Sequence, residues 1–341
     1  MRARDLGLCC GSLPPGEDNT IADVPGVTVG HTTLIEADIR TGVTAVLPHE
    51  GNLFRDKVTA ASVVLNGFGK STGLVQVNEL GTLETPILLT NTFAVGTCAN
   101  ALIRRAIAAN PEIGRRTSTV NPVVLECNDG YLNDIQAMAV TEAHATAAID
   151  AASRTFKLGS VGAGTGMSCF GLKGGIGSAS RQFRLDGSPC HLGVLVLANF
   201  GRPGDLRLPD GRRVEAAAPP AAETGSCIIL VATDVPLEHR QLTRVAKRSG
   251  VGLAWCGSFW GNGSGDIALA FSTANRVPHT AAGDLIQHRV LAESRIDLLF
   301  EAVAEATQEA VLDALAGSET MLGRSGHQRT GLRDLMPRPD H

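Results

Sequence analysis

The chain is 341 residues long, 43% hydrophobic and 19% charged, with a formal net charge of −4. That length supports one large core or two smaller ones, and the mild acidity gives no electrostatic reason to expect nucleic acid or an anionic membrane as a partner. No apolar h-region follows the basic start, 1-MRARDLGLCCGSLPPGEDN-19, so no signal peptide is expected.

The first half is dominated by β-like runs at 26–34, 42–49, 59–68 and 87–92. Helical patterns follow at 97–110 and 133–153, the second rich in alanine. Next, 158-LGSVGAGTGMSCFGLKGGIGSAS-180 alternates glycine with small and β-branched residues, which suits closely approaching strands and tight turns. GAGTG within it resembles part of a dinucleotide loop, but no clear βαβ unit surrounds it and no G-x-x-x-x-G-K-[ST] occurs.

The apolar strand 192-LGVLVLANF-200 then gives way to 201-GRPGDLRLPDGRRVEAAAPPAAETG-225. This segment has no aromatic residue and no apolar period, and it reads as an exposed, mobile linker over about 202–225. The run 226-SCIILVATDVPL-237 has the isoleucine and valine content of a buried strand. A helix over 235–250, strands at 251–257 and 266–273, and long helices between 283 and 315 are expected next, with a poorly ordered tail over 323–341. Strands and helices interleave without strict βαβ alternation, which favours an α+β layered sandwich. The longest apolar runs are too short to span a bilayer. Cysteines at 9, 10, 98, 127, 169, 190, 227 and 256 show no C-x-x-C or Cys/His ligand spacing. Buried thiols in a cytoplasmic protein are therefore expected, with no metal and no cofactor.

The seam Gly225-Ser226 carries the chemistry. A linker running straight into a buried strand is what self-cleavage requires, because the serine hydroxyl must turn back on its own preceding carbonyl. Glycine has no Cβ to obstruct that turn. The amine freed by the cut would lie beside the hydroxyl and could take its proton, since an α-amine titrates near pH 7.7–8.0. Taken alone, a Gly-Ser pair also marks ordinary turns.

Eight stretches decide between these readings: 1-MRARDLG-7, 23-DVPGVTVGHTT-33, 41-TGVTAVLP-48, 128-NDGYLND-134, 160-SVGAGTGMSCFGLKGGIGSASR-181, 193-GVLVLANFG-201, 225-GSCIILVATDVPL-237 and 261-GNGSGDIALAFST-273. In this order, over nearly the whole chain, they resemble the L-aminopeptidase/D-esterase and β-peptidyl aminopeptidase family. The resemblance implies a four-layer αββα sandwich of the N-terminal-nucleophile-hydrolase kind, with its own strand connectivity. It further implies one domain that cuts itself into chains 1–225 and 226–341, which stay together and associate as a homo-oligomer, commonly a tetramer of pairs.

By the same resemblance Ser226 is the nucleophile and its amine the general base, positioned by Ser264 and Asp266. Asn199 is an oxyanion donor, and Tyr131 a second donor or a cavity wall. Glu126 and Asp129 are candidates for the substrate's ammonium, or else for capping a helix near Asn133. Trp255 and Trp260, just before the Ser264 motif, would narrow the pocket if they reach it. Nylon-oligomer hydrolases share this architecture but use threonine, so Ser226 argues against them; ornithine acetyltransferases also self-process at a threonine, and acyl transfer rather than hydrolysis would then be the reaction. A non-catalytic protein holding a small ligand in its glycine loops is the alternative of a different class. The substrate implied is a small peptide, amide or ester.

Overall fold

The computed structural model describes residues 1–215 and 224–336. The strands are β1 (Thr28–Glu36), β2 (Ile39–Leu47), β3 (Asp56–Gly67), β4 (Thr82–Leu83), β5 (Ile87–Asn91), β6 (Val123–Cys127), β7 (Ser168–Cys169), β8 (Leu172–Lys173), β9 (Gly175–Leu185), β10 (Ser188–Asn199), β11 (Thr224–Thr233), β12 (Gly263–Pro278), β13 (Met321–Leu322) and β14 (Gln328–Arg329). The helices are α1 (Leu74–Leu80), α2 (Val95–Ala109), α3 (Glu142–Asp150), α4 (His239–Trp255), α5 (Asp297–Ala316) and α6 (Leu332–Leu335).

Two sheets form the middle of the molecule. One is ordered β1-β2-β5-β6 and the other β4-β3-β12-β11-β10-β9. Ile87, Leu89, Val123 and Leu125 of the first meet Leu195, Leu197, Ile228, Leu230, Leu269 and Phe271 of the second in a single core. The outer face of the first sheet is covered by α2 and α3 through Cys98, Leu102, Ala145 and Ile149. The outer face of the second is covered by α4 and α5 through Leu242, Val245, Leu299 and Val311. The result is the expected αββα sandwich. β11 lies in the middle of its sheet, antiparallel to β10 and parallel to β12. Both its faces are covered, so CIILVA is a continuous apolar run rather than an alternating one.

The glycines of the 158–180 stretch permit close approach. A Cβ on Gly177 of β9 would stand 1.8 Å from the Ala310 carbonyl oxygen of α5, so the helix lies directly on the strand. α5 is buried on nearly every side, yet it carries Glu305, Glu309 and Asp313. Arg181 on β9, fully buried, donates through Nε to Glu305 and through Nη2 to Glu309, each at 2.9 Å. Arg2 pairs with Asp313 and Arg4 with Glu309, which ties the amino-terminal segment to the same helix.

Several element expectations are corrected. The helix over 133–153 begins only at Glu142; Asn133 and Asp129 instead close a turn in which Asn133 Nδ2 donates to Asp129 Oδ1 at 3.0 Å. The strand over 251–257 is the end of α4, because Leu253 continues the stripe Leu242, Val245, Ala246, Ser249 at helical spacing. The long helices expected between 283 and 315 reduce to a short turn (Glu293–Arg295) followed by α5. In the tail, β13 pairs with β14 and Leu332 is fully buried, while 337–341 lie outside the described residues. Part of the expected linker, 216–223, also lies outside them. Within 202–215, Leu206 and Leu208 are buried in the core under α4 and α5, and Arg207 N–H donates to Cys256 O, so this part of the expected linker is anchored rather than exposed. No described helix is long and apolar enough to cross a membrane.

Candidate active site

Ser226 is the third residue of β11, at the end of the core between the sheets. The register sets it opposite Asn199 on β10 and beside Gly265 on β12, with Gly225 beside Ser264. Ser226 Oγ donates to the carbonyl oxygen of Gly225, the residue before it, at 2.5 Å. Gly225 has φ +150°, and a Cβ there would stand 2.0 Å from the Asn199 carbonyl oxygen, so the backbone geometry at this seam admits only glycine. The neighbouring thiol is no rival to the hydroxyl. Cys227 is fully buried, and burial raises its pKa well above the usual thiol value, which leaves it without thiolate character.

A cavity of about 530 Å³ opens over this seam, lined among others by Ser226, Gly225, Asn199, Tyr131, Glu126 and Arg329. Asn199 is held rigidly: its Oδ1 accepts the Ser168 N–H at 2.8 Å, and its Nδ2 donates to Asn128 O at 2.9 Å. The second N–H on Nδ2 is used by no described residue. Ser264 and Asp266, two apart on β12, are fully buried beneath the cavity, and Ser264 Oγ donates to Asp266 Oδ1 at 3.0 Å. Neither lines the cavity; the register sets Ser264 beside Gly225 and Asp266 beside Cys227, on either side of Ser226. Asn66 Nδ2 donates to the carbonyl oxygens of Gly261 and Ser264, which holds the turn entering β12.

The two acidic candidates separate. Glu126, at the end of β6, lines the cavity; its Oε1 accepts the Lys70 N–H at 2.8 Å and its Oε2 the Thr92 hydroxyl. Asp129 is buried away from the cavity, and burial raises its pKa to about 7. Tyr131 forms part of the wall, with its ring stacked on His327 at 4.6 Å. Trp255 and Trp260 do not narrow the pocket. Trp255 ends α4 half-exposed, and Trp260 packs against the outer core near Gly250.

Sequence reasoning missed the supports of this wall. Lys173, fully buried, sends Nζ to the carbonyl oxygens of Gly164, Met167 and Gly174 at 2.7–3.0 Å. It thereby fixes the loop that carries Ser168, the partner of Asn199; burial also pulls its pKa down to about 7. A lysine inside a glycine-rich segment was the only available signal. Arg329, from the tail expected to be poorly ordered, gave none.

The sequence matches the family model "Peptidase family S58" over residues 19–329. The chain is 39% identical over 354 aligned residues to the β-peptidyl aminopeptidase BapA of Sphingosinicella microcystinivorans, covering 96% of this chain and 88% of that one. Its structure is similar to the PH0078 protein of Pyrococcus horikoshii OT3, with TM-score 0.92, 47% identity and 98% of each chain covered. It is also similar to the L-aminopeptidase D-Ala-esterase/amidase of Ochrobactrum anthropi, described as a variant of the Ntn-hydrolase fold, with TM-score 0.88, 34% identity and 97% and 95% of the two chains covered. With its two-sheet sandwich and a serine at the head of a central strand, this chain belongs to peptidase family S58 and is a hydrolase built on the Ntn-hydrolase fold.

Proposed function

We propose that the protein cuts itself between Gly225 and Ser226 and then works as a serine aminopeptidase on small peptides, amides and esters. The observation that carries this reading is the Ser226 hydroxyl lying 2.5 Å from the carbonyl oxygen of its own preceding residue, at the floor of an open cavity. In maturation, Ser226 Oγ bonds to the Gly225 carbonyl carbon and the C–N bond breaks. The departing nitrogen takes up the proton that the hydroxyl gives away and becomes the new α-amine, and water hydrolyses the resulting ester to a Gly225 carboxylate and the free Ser226 hydroxyl. In turnover, the amine takes the hydroxyl proton as Oγ attacks the substrate carbonyl and passes it to the leaving amine. A second water then releases the acyl group. Ser264 and Asp266, beside the peptide to be cut, orient the amine once it is freed; Asn199 and Tyr131 meet the oxyanion.

Glu126 is the partner of the substrate's ammonium. It stands on the cavity wall, whereas Asp129 is buried off it with a carboxyl pKa raised to about 7. The exposed apolar side chains of Leu285, Ile286 and Val290 support self-association of the processed pairs.

Denaturing intact-mass measurement tests maturation. Chains of 225 and 341 − 225 = 116 residues are expected, the smaller beginning Ser-Cys-Ile-Ile-Leu. A single intact chain that still releases amino acids from aminoacyl amides rules out the amine as base. The ammonium site is tested separately. Glu126→Gln is expected to lower kcat/KM on aminoacyl anilides about 100-fold, because a buried charge loses its partner. Asp129→Asn is expected to do far less. N-acetylated substrates should be poor for the same reason, and equal cleavage of acetylated and free substrates would leave an amidase indifferent to the N-terminus.

A further inference from the structure

The cavity wall carries charges that the steps above leave unused. Besides Glu126 it is lined by two cations, Lys70 and Arg329. Lys70 is exposed, with Nζ resting 4.2 Å from the centre of the Phe68 ring. Arg329 is different. It is half-buried, its guanidinium carbon lies 3.5 Å from the centre of the Tyr131 ring, and its Nε donates to Ser168 Oγ at 3.1 Å. Among the other arginines that pack into the molecule, Arg40, Arg248 and Arg324 are held by backbone carbonyls, whereas Arg2, Arg4 and Arg181 each meet a carboxylate. Among the described residues none reaches Arg329. Burial is accordingly the chief influence on its pKa and lowers it, with only Tyr131 acting the other way.

An arginine taken partly out of water, held flat on an aromatic ring and pinned at Nε, is a pre-organised fork of donors whose complement is a planar carboxylate. Glu126 makes no ion pair with Arg329: the Lys70 N–H and the Thr92 hydroxyl fix its carboxylate, one donor on each oxygen, and the remaining lone pairs are left for a substrate ammonium. The wall thus holds one anionic group beside a cation with no anion, the complement of a zwitterion. We propose that Arg329, seated on Tyr131, is a carboxylate-binding subsite of this cavity, so that the favoured substrates are short and carry a free carboxylate as well as a free ammonium. That carboxylate is either the C-terminus of a dipeptide or the acidic side chain of the residue released. The inference rests on reading Ser226 as the nucleophile of this cavity.

The test compares three kinds of substrate in the mature enzyme: a dipeptide against its C-terminal amide, an aspartyl anilide against the asparaginyl anilide, and an alanyl p-nitroanilide, which has no carboxylate. A preference of about 10- to 100-fold in kcat/KM, mostly through KM, is expected for the carboxylate-bearing member of one pair, the usual scale for a hydrogen bond to a charged group. Preference in the first pair places the carboxylate on the leaving group, and preference in the second places it on the residue released. Arg329→Gln should erase that preference, lowering kcat/KM on the carboxylate-bearing member about 10-fold or more beyond whatever loss the alanyl anilide shows through the Tyr131 and Ser168 contacts. Should that variant fail to fold, Arg329→Lys, which keeps the charge and loses the fork, should shrink the preference several-fold.

The subsite is overturned if the parent enzyme distinguishes neither pair, if the preference survives the substitution, or if the anilide falls by the same factor as the carboxylate substrates. An enzyme inert on the alanyl anilide itself would instead sink the aminopeptidase reading on which the subsite rests.

Discussion

Ser226→Ala is expected to leave a single chain of 35.5 kDa with no measurable turnover. In the proposed mechanism one hydroxyl serves both reactions: it already donates to the Gly225 carbonyl oxygen, and after the cut it is the group that attacks substrate. The substitution removes little buried surface, so the fold should survive, and an unchanged melting temperature would separate lost chemistry from lost structure. Ser226→Cys is an informative partner, because a thiolate can attack the same carbonyl, and cleavage is expected to be retained with altered turnover. Processing of Ser226→Ala at the normal rate, read by intact mass, would place the scissile bond or the nucleophile elsewhere.

Asn199→Ala is expected to mature at least in part yet lose about 10²–10³-fold in kcat, the scale of one oxyanion donor. The geometry supports a loss in kcat rather than KM. With Oδ1 fixed by the Ser168 N–H and one N–H given to Asn128 O, the amide has no freedom to reorient, so its remaining N–H is in place before the oxyanion forms. A substitution that merely loosened the Ser168 loop would raise KM and lower the melting temperature together. Normal turnover by Asn199→Ala would show that the oxyanion is met by other donors.

Much of this could be read without coordinates, because the chemistry is concentrated in short motifs. Gly225-Ser226, the GNGSGD turn with Ser264 and Asp266, and Asn199 at the end of an apolar strand are each local in sequence. Their order along the chain carries the family resemblance and, through it, the αββα architecture. The continuous apolar run after Ser226 already required a strand covered on both faces. Where local pattern was ambiguous, local pattern failed. VGLAWCG over 251–257 has the composition of a strand, yet it extends α4, because the period that matters is set by what the helix packs on. Alanine richness over 133–153 was overridden at its start by the turn that Asp129 and Asn133 close.

The choice between Glu126 and Asp129 was out of reach of sequence for a similar reason. Three residues apart on one segment, they differ only in which side of the β6 end they face, and that decides whether a carboxylate meets the cavity or is buried away from it. Arg329 stands 103 residues beyond Ser226 in a tail of ordinary loop composition, 329 − 226 = 103. Only the pairing of β13 with β14 and the anchoring of Arg324 and His327 on the backbone of Gly130 and Tyr131 bring it to the wall. The sequence by itself therefore pointed to the proposed nucleophile and its seam and determined the layers around them, since these depend on residue type and near neighbours. Only the tertiary structure decided which charges share the cavity, because that depends on contacts between segments hundreds of residues apart, which no local period encodes.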